Sequence, residues 1–295
     1  MRILSTCHAH TTWCDGKSPA EETVLAALEK GFLSLGFTSH APQHFDLPCA
    51  VDPDKEWDYI REIHGLREKY RDRIRIFCGV ERDLFSCADT APYDYYIASV
   101  HYIPCGSRMM AVDASPDGCL ELYRDFFGCD GIRLAKAYYS LVAAYARAFR
   151  PPVIGHLDLI KKSNGILGMF DENDPAYIET VAETLRVIRD AGSLLEVNTG
   201  GIARGYITET YPSLPILKMW RGMGGEVIAG TDCHRAKDLD CALDILPDLL
   251  ASAGFSCIHV LTAGAGLFER VSLSDPSAPA PKSPNHRTEM ESRCF

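Results

Sequence analysis

Across its 295 residues the chain lacks an 18-residue apolar run, a CxxC cysteine pair, a GxGxxG turn and an excess of basic charge. Without a long apolar run there is no candidate for a membrane-spanning helix. Twelve scattered cysteines with no paired spacing, and no charged leader before the strand-like run that begins by Ile3, argue against a disulfide framework or a secretion signal. A soluble, cytoplasmic protein with free thiols is expected. The missing glycine-rich turn removes the usual dinucleotide fingerprint. With Lys+Arg at 30 against Asp+Glu at 40, a formal net charge of -10 disfavours a nucleic-acid partner, because such binding rests on clustered cations that release counterions. No DxDx[TV] segment is present, so an aspartyl phosphoenzyme has no candidate nucleophile.

What is present is a pattern. The strand-like runs end on a histidine or an acid: STCHAH closes at His10, FTSH at His40, CGVE at Glu81, ASVH at His101, IGHLD carries His156, and GTDCH closes at His234. The runs Phe32 to Ser39, Arg75 to Val80, Tyr95 to Val100, from Val153, Leu194 to Asn198 and Glu226 to Ala229 alternate with helical stripes. Ser18-Pro19-Ala20-Glu21 has the form of a capping box ahead of Val24, Leu25 and Leu28, with Gly31 as the stop. Asp52-Pro53 and Asp174-Pro175 open two further helices, and a helix over about Leu239 to Ala253 contains Pro247, which is expected to kink it. Alternating strands and helices imply parallel strands joined by right-handed crossovers. Seven units with reactive residues at the carboxyl ends suggest an α/β barrel. The stretch Pro104 to Gly118, rich in Gly, Pro, Ser and Asp, is expected to form a loop over the mouth of the site. Residues 1–273 read as one domain, and 274–295 as a disordered tail of Pro, Ser and charge.

Imidazoles and carboxylates suit zinc, manganese and iron. Residues two apart on a strand share a face, so His8 and His10 can grip one ion while Cys7 points away; Asp232 and His234 repeat the device around Cys233. The ligands are too many for one cation, and Glu81 is the natural bridge between two or three. Such clusters activate water and clamp the oxygens of a phosphoryl transfer.

These residues resemble the polymerase and histidinol phosphatase (PHP) family. The motifs that carry the resemblance are His8-Ala9-His10 with Asp15-Gly16, then His40, Glu81, His101, His156 within GHLD, and Asp232-Cys233-His234; it extends over about residues 1–240. VIGHLDLIKK and LEVNTGGIARGYITETYPS resemble the histidinol-phosphatase branch. The fold so implied is a distorted (β/α)7 TIM-like barrel. The resemblance implies one ion held by His8, His10, Glu81 and Asp232, a second by Glu81, His101 and His156, and a third by Asp15, His40 and His234. Asp15 beside Gly16 also reads as an ordinary turn residue. The branch resemblance further implies that Arg204 binds substrate phosphate, a role its planar fork suits; Arg235 is a weaker candidate for the same task. Lys161 and Lys162 read as solvated surface, His44 as a secondary candidate, and His64 and His259 as structural.

The function implied is hydrolysis of L-histidinol phosphate to L-histidinol and phosphate, a step of histidine biosynthesis. A metal-bridging hydroxide is the implied nucleophile; Asp232, His234 and Arg204 form the catalytic set. Asp113 or Asp158 could meet the amine of such a substrate. Rival readings are a broader phosphomonoesterase, a nucleotide phosphodiesterase, an amidohydrolase and a non-catalytic metal-binding domain. A basic track would favour the diesterase and is absent; Glu81 after the third strand and the final DxH disfavour the amidohydrolase.

Overall fold

The computed structural model describes residues 2–262 and 266–274. Its elements run β1 (Ser5–Thr6), α1 (Ala20–Glu29), β2 (Ser34–Phe37), α2 (Glu56–Tyr70), β3 (Arg75–Asp83), β4 (Tyr95–Ser99), β5 (Tyr102–Cys105), β6 (Arg108–Ala111), α3 (Pro116–Glu121) and α4 (Gly131–Phe149). They continue with β7 (Val153–Ile154), α5 (Asn164–Leu167), α6 (Pro175–Ala191), β8 (Leu194–Asn198), α7 (Gly200–Ala203), α8 (Leu214–Gly222), β9 (Val227–Gly230), α9 (Leu246–Ser252), β10 (Cys257–Leu261) and β11 (Phe268–Ser272).

The strand order β1-β2-β3-β4-β7-β8-β9 is parallel throughout. The Cys7 N–H donates to the Ala229 carbonyl at 3.1 Å, and Ala9 bridges Cys233 in parallel. Those contacts return β1 to β9, so the seven strands form a ring at their carboxyl ends. β10 touches β9 at one register, His259 with Ile228, and β11 runs antiparallel to β10.

Helix α6 illustrates how the sequence sets the outer layer. Asp174 accepts from the Ala176 N–H at 2.7 Å, Pro175 occupies the first turn, and Gly192 ends the helix at φ 79°, where a left-handed residue is cheapest as glycine. Val181, Leu185 and Ile188 lie on its buried face, each contributing about 1.5–3 kcal/mol by leaving water. Against it packs α4, with a hydroxyl contact of 2.9 Å between Tyr139 and Tyr177 and Thr184 donating to the Tyr139 carbonyl.

Three local expectations change. The expected mouth loop contains an antiparallel hairpin, β5 with β6, turning at Gly106 with φ 64°. Pro247 lies in the first turn of α9, where its missing N–H costs nothing, so the helix starts at Leu246 rather than kinking. The Ser18 hydroxyl donates to Glu22 and accepts from the Ala236 N–H instead of capping α1. From Asp275 onward the expected tail lies outside the described residues.

Candidate metal centre

Six of the seven ring strands, all but β8, deliver reactive residues near or just beyond their carboxyl ends, Asp15 joins from the loop after β1, and nine side chains meet there. Glu81 is at the middle, 1% exposed. Its Oε2 lies 3.2 Å from His8 Nε2, 3.3 Å from His10 Nε2 and 3.1 Å from His40 Nδ1. Its Oε1 lies 2.8 Å from His156 Nε2 and 3.3 Å from His101 Nε2. Asp232 Oδ1 is 3.0 Å from His10 Nε2, 3.7 Å from His8 Nε2 and 3.5 Å from His234 Nδ1. Asp15 is placed 3.2 Å from His234 Nε2, 3.7 Å from His10 Nδ1 and 3.8 Å from His40 Nε2. Donors bound 2.0–2.2 Å from one ion stand about 3.0–3.6 Å apart, the spacing seen here.

Three groups have donor atoms close enough to share a cation: His8, His10 and Asp232; His40, Glu81 and His101; and His10, Asp15, His40 and His234. These groups overlap the sets that the family resemblance implies, and His40 sits beside Glu81 as well as Asp15. Asp15 Oδ1 is buried with no hydrogen-bond partner. An orphaned carboxylate oxygen facing imidazoles is what a cation would satisfy, and the N/O donor set fits divalent transition metals.

The electrostatics are those of ionised carboxylates packed against imidazoles. Burial opposes charge on Glu81, but His40, His8 and His101 hold its pKa well below the usual range. Burial likewise opposes charge on Asp232, and Arg204 and His8 overcome it. For Asp15 burial is outweighed by the His234 hydrogen bond and the His40 charge, and its pKa falls. On His8 burial is outweighed by Glu196, Glu81 and Asp232, which raise its pKa to about 10. Burial depresses His40 to about 4, with Glu81 opposing.

Several partners had no place in the sequence reading. Asp83 accepts from the backbone N–H of His101 at 2.8 Å and stands 3.3 Å from its Nδ1. Ser99 donates to Glu81 Oε1 at 2.7 Å, the Cys14 thiol lies 3.4 Å from His10 Nδ1, and Glu196 is 2.7 Å from His8 Nδ1. The available signal was strand periodicity, since Asp83 follows Glu81 by two and Glu196 precedes Asn198 by two.

Asp232 occupies left-handed backbone at φ 48°, a conformation that persists only where surroundings enforce it. Arg204 supplies part of that enforcement: its Nη1 donates to the Asp232 carbonyl and its Nη2 to Oδ2, both at 2.8 Å. Burial works against the guanidinium, and Asp232 more than offsets it, raising the pKa. Gly200 makes room for the pair, because a Cβ there would lie 2.9 Å from both Arg204 Nη2 and Asp232 Oδ2. The cluster opens into a cavity of about 430 Å³ whose wall includes Asp113, Lys162, Arg204, Tyr206 and Arg235. Lys162 reaches the Asp113 carbonyl at 2.5 Å and covers the Tyr206 ring at 4.3 Å. Lys162 is therefore a cavity residue rather than solvated surface.

Lys161 also departs from its surface reading: its side chain is 3% exposed, 3.0 Å from Asp158 and 2.9 Å from Glu209. Asp158 is fully buried in that pair and absent from the cavity wall, which removes it as an amine-binding candidate. His44 and His64 are exposed, and His259 pairs with Glu226 at 3.1 Å. Cys233 borders the cavity, but its thiol donates to the Arg235 carbonyl at 2.8 Å. All cysteines among the described residues are free thiols, and no helix among those residues is long and apolar enough to cross a membrane.

A family model described as PHP domain matches residues 6–200, more than half the chain. The chain belongs to the PHP domain family. Among similar proteins, the "Probable histidinol-phosphatase" of Deinococcus radiodurans is 30% identical over 247 residues, covering 80% of this chain and 88% of that relative. The histidinol-phosphatase of Bacillus subtilis is 28% identical over 262 residues, covering 80% of this chain and 96% of its own length. A solved histidinol phosphate phosphatase from Lactococcus lactis, complexed with zinc, L-histidinol and phosphate, matches with a TM-score of 0.67 at 22% identity, over 88% of this chain and 96% of that one. At that identity the structural likeness speaks for the fold, an α/β PHP architecture with a mainly parallel sheet. The PHP domain match ends before Arg204, Asp232 and His234, which the geometry brings to the same site.

Proposed function

We propose that this PHP domain is a histidinol-phosphatase, hydrolysing L-histidinol phosphate to L-histidinol and phosphate as a cytoplasmic step of histidine biosynthesis. It would use two or three divalent ions, zinc, manganese or iron. The observation that carries the reading is the meeting of nine His, Asp and Glu side chains, Glu81 among them at the middle, with a guanidinium anchored at the same cavity. When bound, the ions supply Lewis-acid stabilisation of phosphoryl charge and activation of water near neutral pH. His8, His10, Asp15, His40, Glu81, His101, His156, Asp232 and His234 are the residues that would hold them.

The chain's own residues then divide the remaining work. Glu81 turns one oxygen toward His8, His10 and His40 and the other toward His101 and His156, so one carboxylate can be shared between ions. Arg204, fixed by Asp232 and 3.0 Å from His234 Nδ1, would offer its remaining N–H groups to the phosphate oxygens, where charge grows as the ester bond breaks. Its anchoring before substrate arrives removes a reorganisation cost. Arg235, exposed at the rim, would add long-range attraction for a phosphate dianion. Asp113, an acid on the cavity wall beside Lys162, would meet the substrate's ammonium group.

The test is phosphate release from L-histidinol phosphate by protein stripped with chelator and reloaded with each metal. Turnover that vanishes on stripping and returns on loading is expected; turnover indifferent to chelator would overturn the reading.

A further inference from the structure

Glu196, on β8, is completely buried, and its carboxylate hydrogen-bonds to three groups that donate or can donate. Oε1 lies 2.7 Å from His8 Nδ1, while Oε2 accepts from the backbone N–H of His156 at 2.8 Å and from the Asn198 amide at 3.1 Å. The carboxylate fills space that a glycine leaves open: a Cβ on Gly230 would fall 1.8 Å from Oε1. A buried carboxylate is costly unless its lone pairs are satisfied, and here they are satisfied by two of the nine candidate ligands and a neighbour on its own strand.

We propose that Glu196 is a positioning residue: it fixes the tautomer of His8 and seats His8 and His156 as one unit. The inference rests on the reading of His8 as a metal ligand. An ionised carboxylate can only accept, so the hydrogen of the neutral His8 ring belongs on Nδ1 and the lone pair on Nε2. Nε2 is the atom that faces Glu81 and Asp232. The isosteric Glu196→Gln cannot preserve the arrangement. With its NH2 toward His8, it donates to Nδ1 and forces the hydrogen onto Nε2, where no metal can bind. Reversed, the NH2 meets two donors, the His156 N–H and the Asn198 amide. Glu196→Asp, though smaller, still only accepts and keeps the correct tautomer. Packing alone would rank Gln as the milder change; tautomer control ranks Asp as the milder.

Cobalt(II) titration followed by visible absorption, with metal analysis after gel filtration, on wild type, E196Q, E196D and His8→Gln separates these accounts, each protein also being melted in chelator to verify folding. Expected is a loss of cobalt affinity of about 10–100-fold in E196Q, a smaller loss in E196D, and chelator melting points near wild type. E196Q binding as tightly as E196D or better overturns the proposal. If H8Q also binds like wild type, the ligand reading itself falls; if H8Q fails while E196Q binds normally, only the role of Glu196 falls. Should E196Q not fold, nitrogen-15 imidazole spectra of zinc-loaded wild type decide: His8 protonated at Nδ1 is expected, and protonation at Nε2 overturns the proposal.

Discussion

Replacing Arg204 by Met tests the electrostatic half of the proposed mechanism. The guanidinium is anchored by two hydrogen bonds of 2.8 Å to Asp232, and its side chain remains 26% exposed, on the cavity wall. It is held where charge would develop on the phosphate, and removing one such preorganised donor costs on the order of 10²–10³ in kcat, or about 2.7–4 kcal/mol. Met fills similar space but removes a group that holds Asp232 in place and ionised, so turnover is compared at equal metal content. Arg204→Lys retains a charge but loses the planar fork, and an intermediate loss of roughly tenfold or more is expected. The assay is steady-state phosphate release from L-histidinol phosphate with bound metal measured on the same samples. A fall in kcat larger than any rise in KM marks an interaction made mainly in the transition state. Arg204→Met within threefold of the parent at full metal content would refute the role.

Three further outcomes are expected. Asp232→Asn removes the charge that balances Arg204 and faces His8 and His10, so metal analysis should show loss of at least one ion together with loss of turnover. Asp83→Asn leaves the His101 ring without its carboxylate, and metal affinity measured by chelator competition should fall about 10–100-fold. Lys161→Met strands the fully buried Asp158; breaking one side of a buried pair costs about 3–5 kcal/mol, a melting-point drop on the order of 10 °C for a domain of this size. The sign of its pH dependence follows from Asp158, whose pKa burial already raises against the opposing pull of Lys161. An acid with a raised folded pKa destabilises the fold when ionised, so the deficit of Lys161→Met should be larger at pH 8 and shrink as pH falls through the Asp158 pKa. A deficit that grows toward acid would contradict the assignment.

The legible parts of this molecule are those where local pattern and tertiary position coincide. Eight of the nine candidate ligands, all but Asp15, stand within four residues of a strand end, and the ring brings those ends together, so His8, His101 and Asp232 could be read directly from the chain. Glu196 and Asp83 were hidden because an acid inside an apolar run or three residues past it carries no end-of-strand signal; only the two-residue period ties Asp83 to Glu81. Lys161 and Asp158 misled because a charged pair three residues apart looks solvated, and its burial is decided by the distant Glu209 and Ser213. The β5–β6 hairpin was missed because its Gly and Pro content signals a turn without showing the four paired positions on either side.

The central claim is metal-dependent hydrolysis of L-histidinol phosphate, and kcat/KM for that ester beside a generic phosphomonoester and a nucleotide diester, with one metal-loaded preparation and an Asp232→Asn control, tests it most directly. Strong preference for L-histidinol phosphate, abolished in the control, is the predicted result. Equal turnover of all monoesters, or preference for the diester, would contradict it.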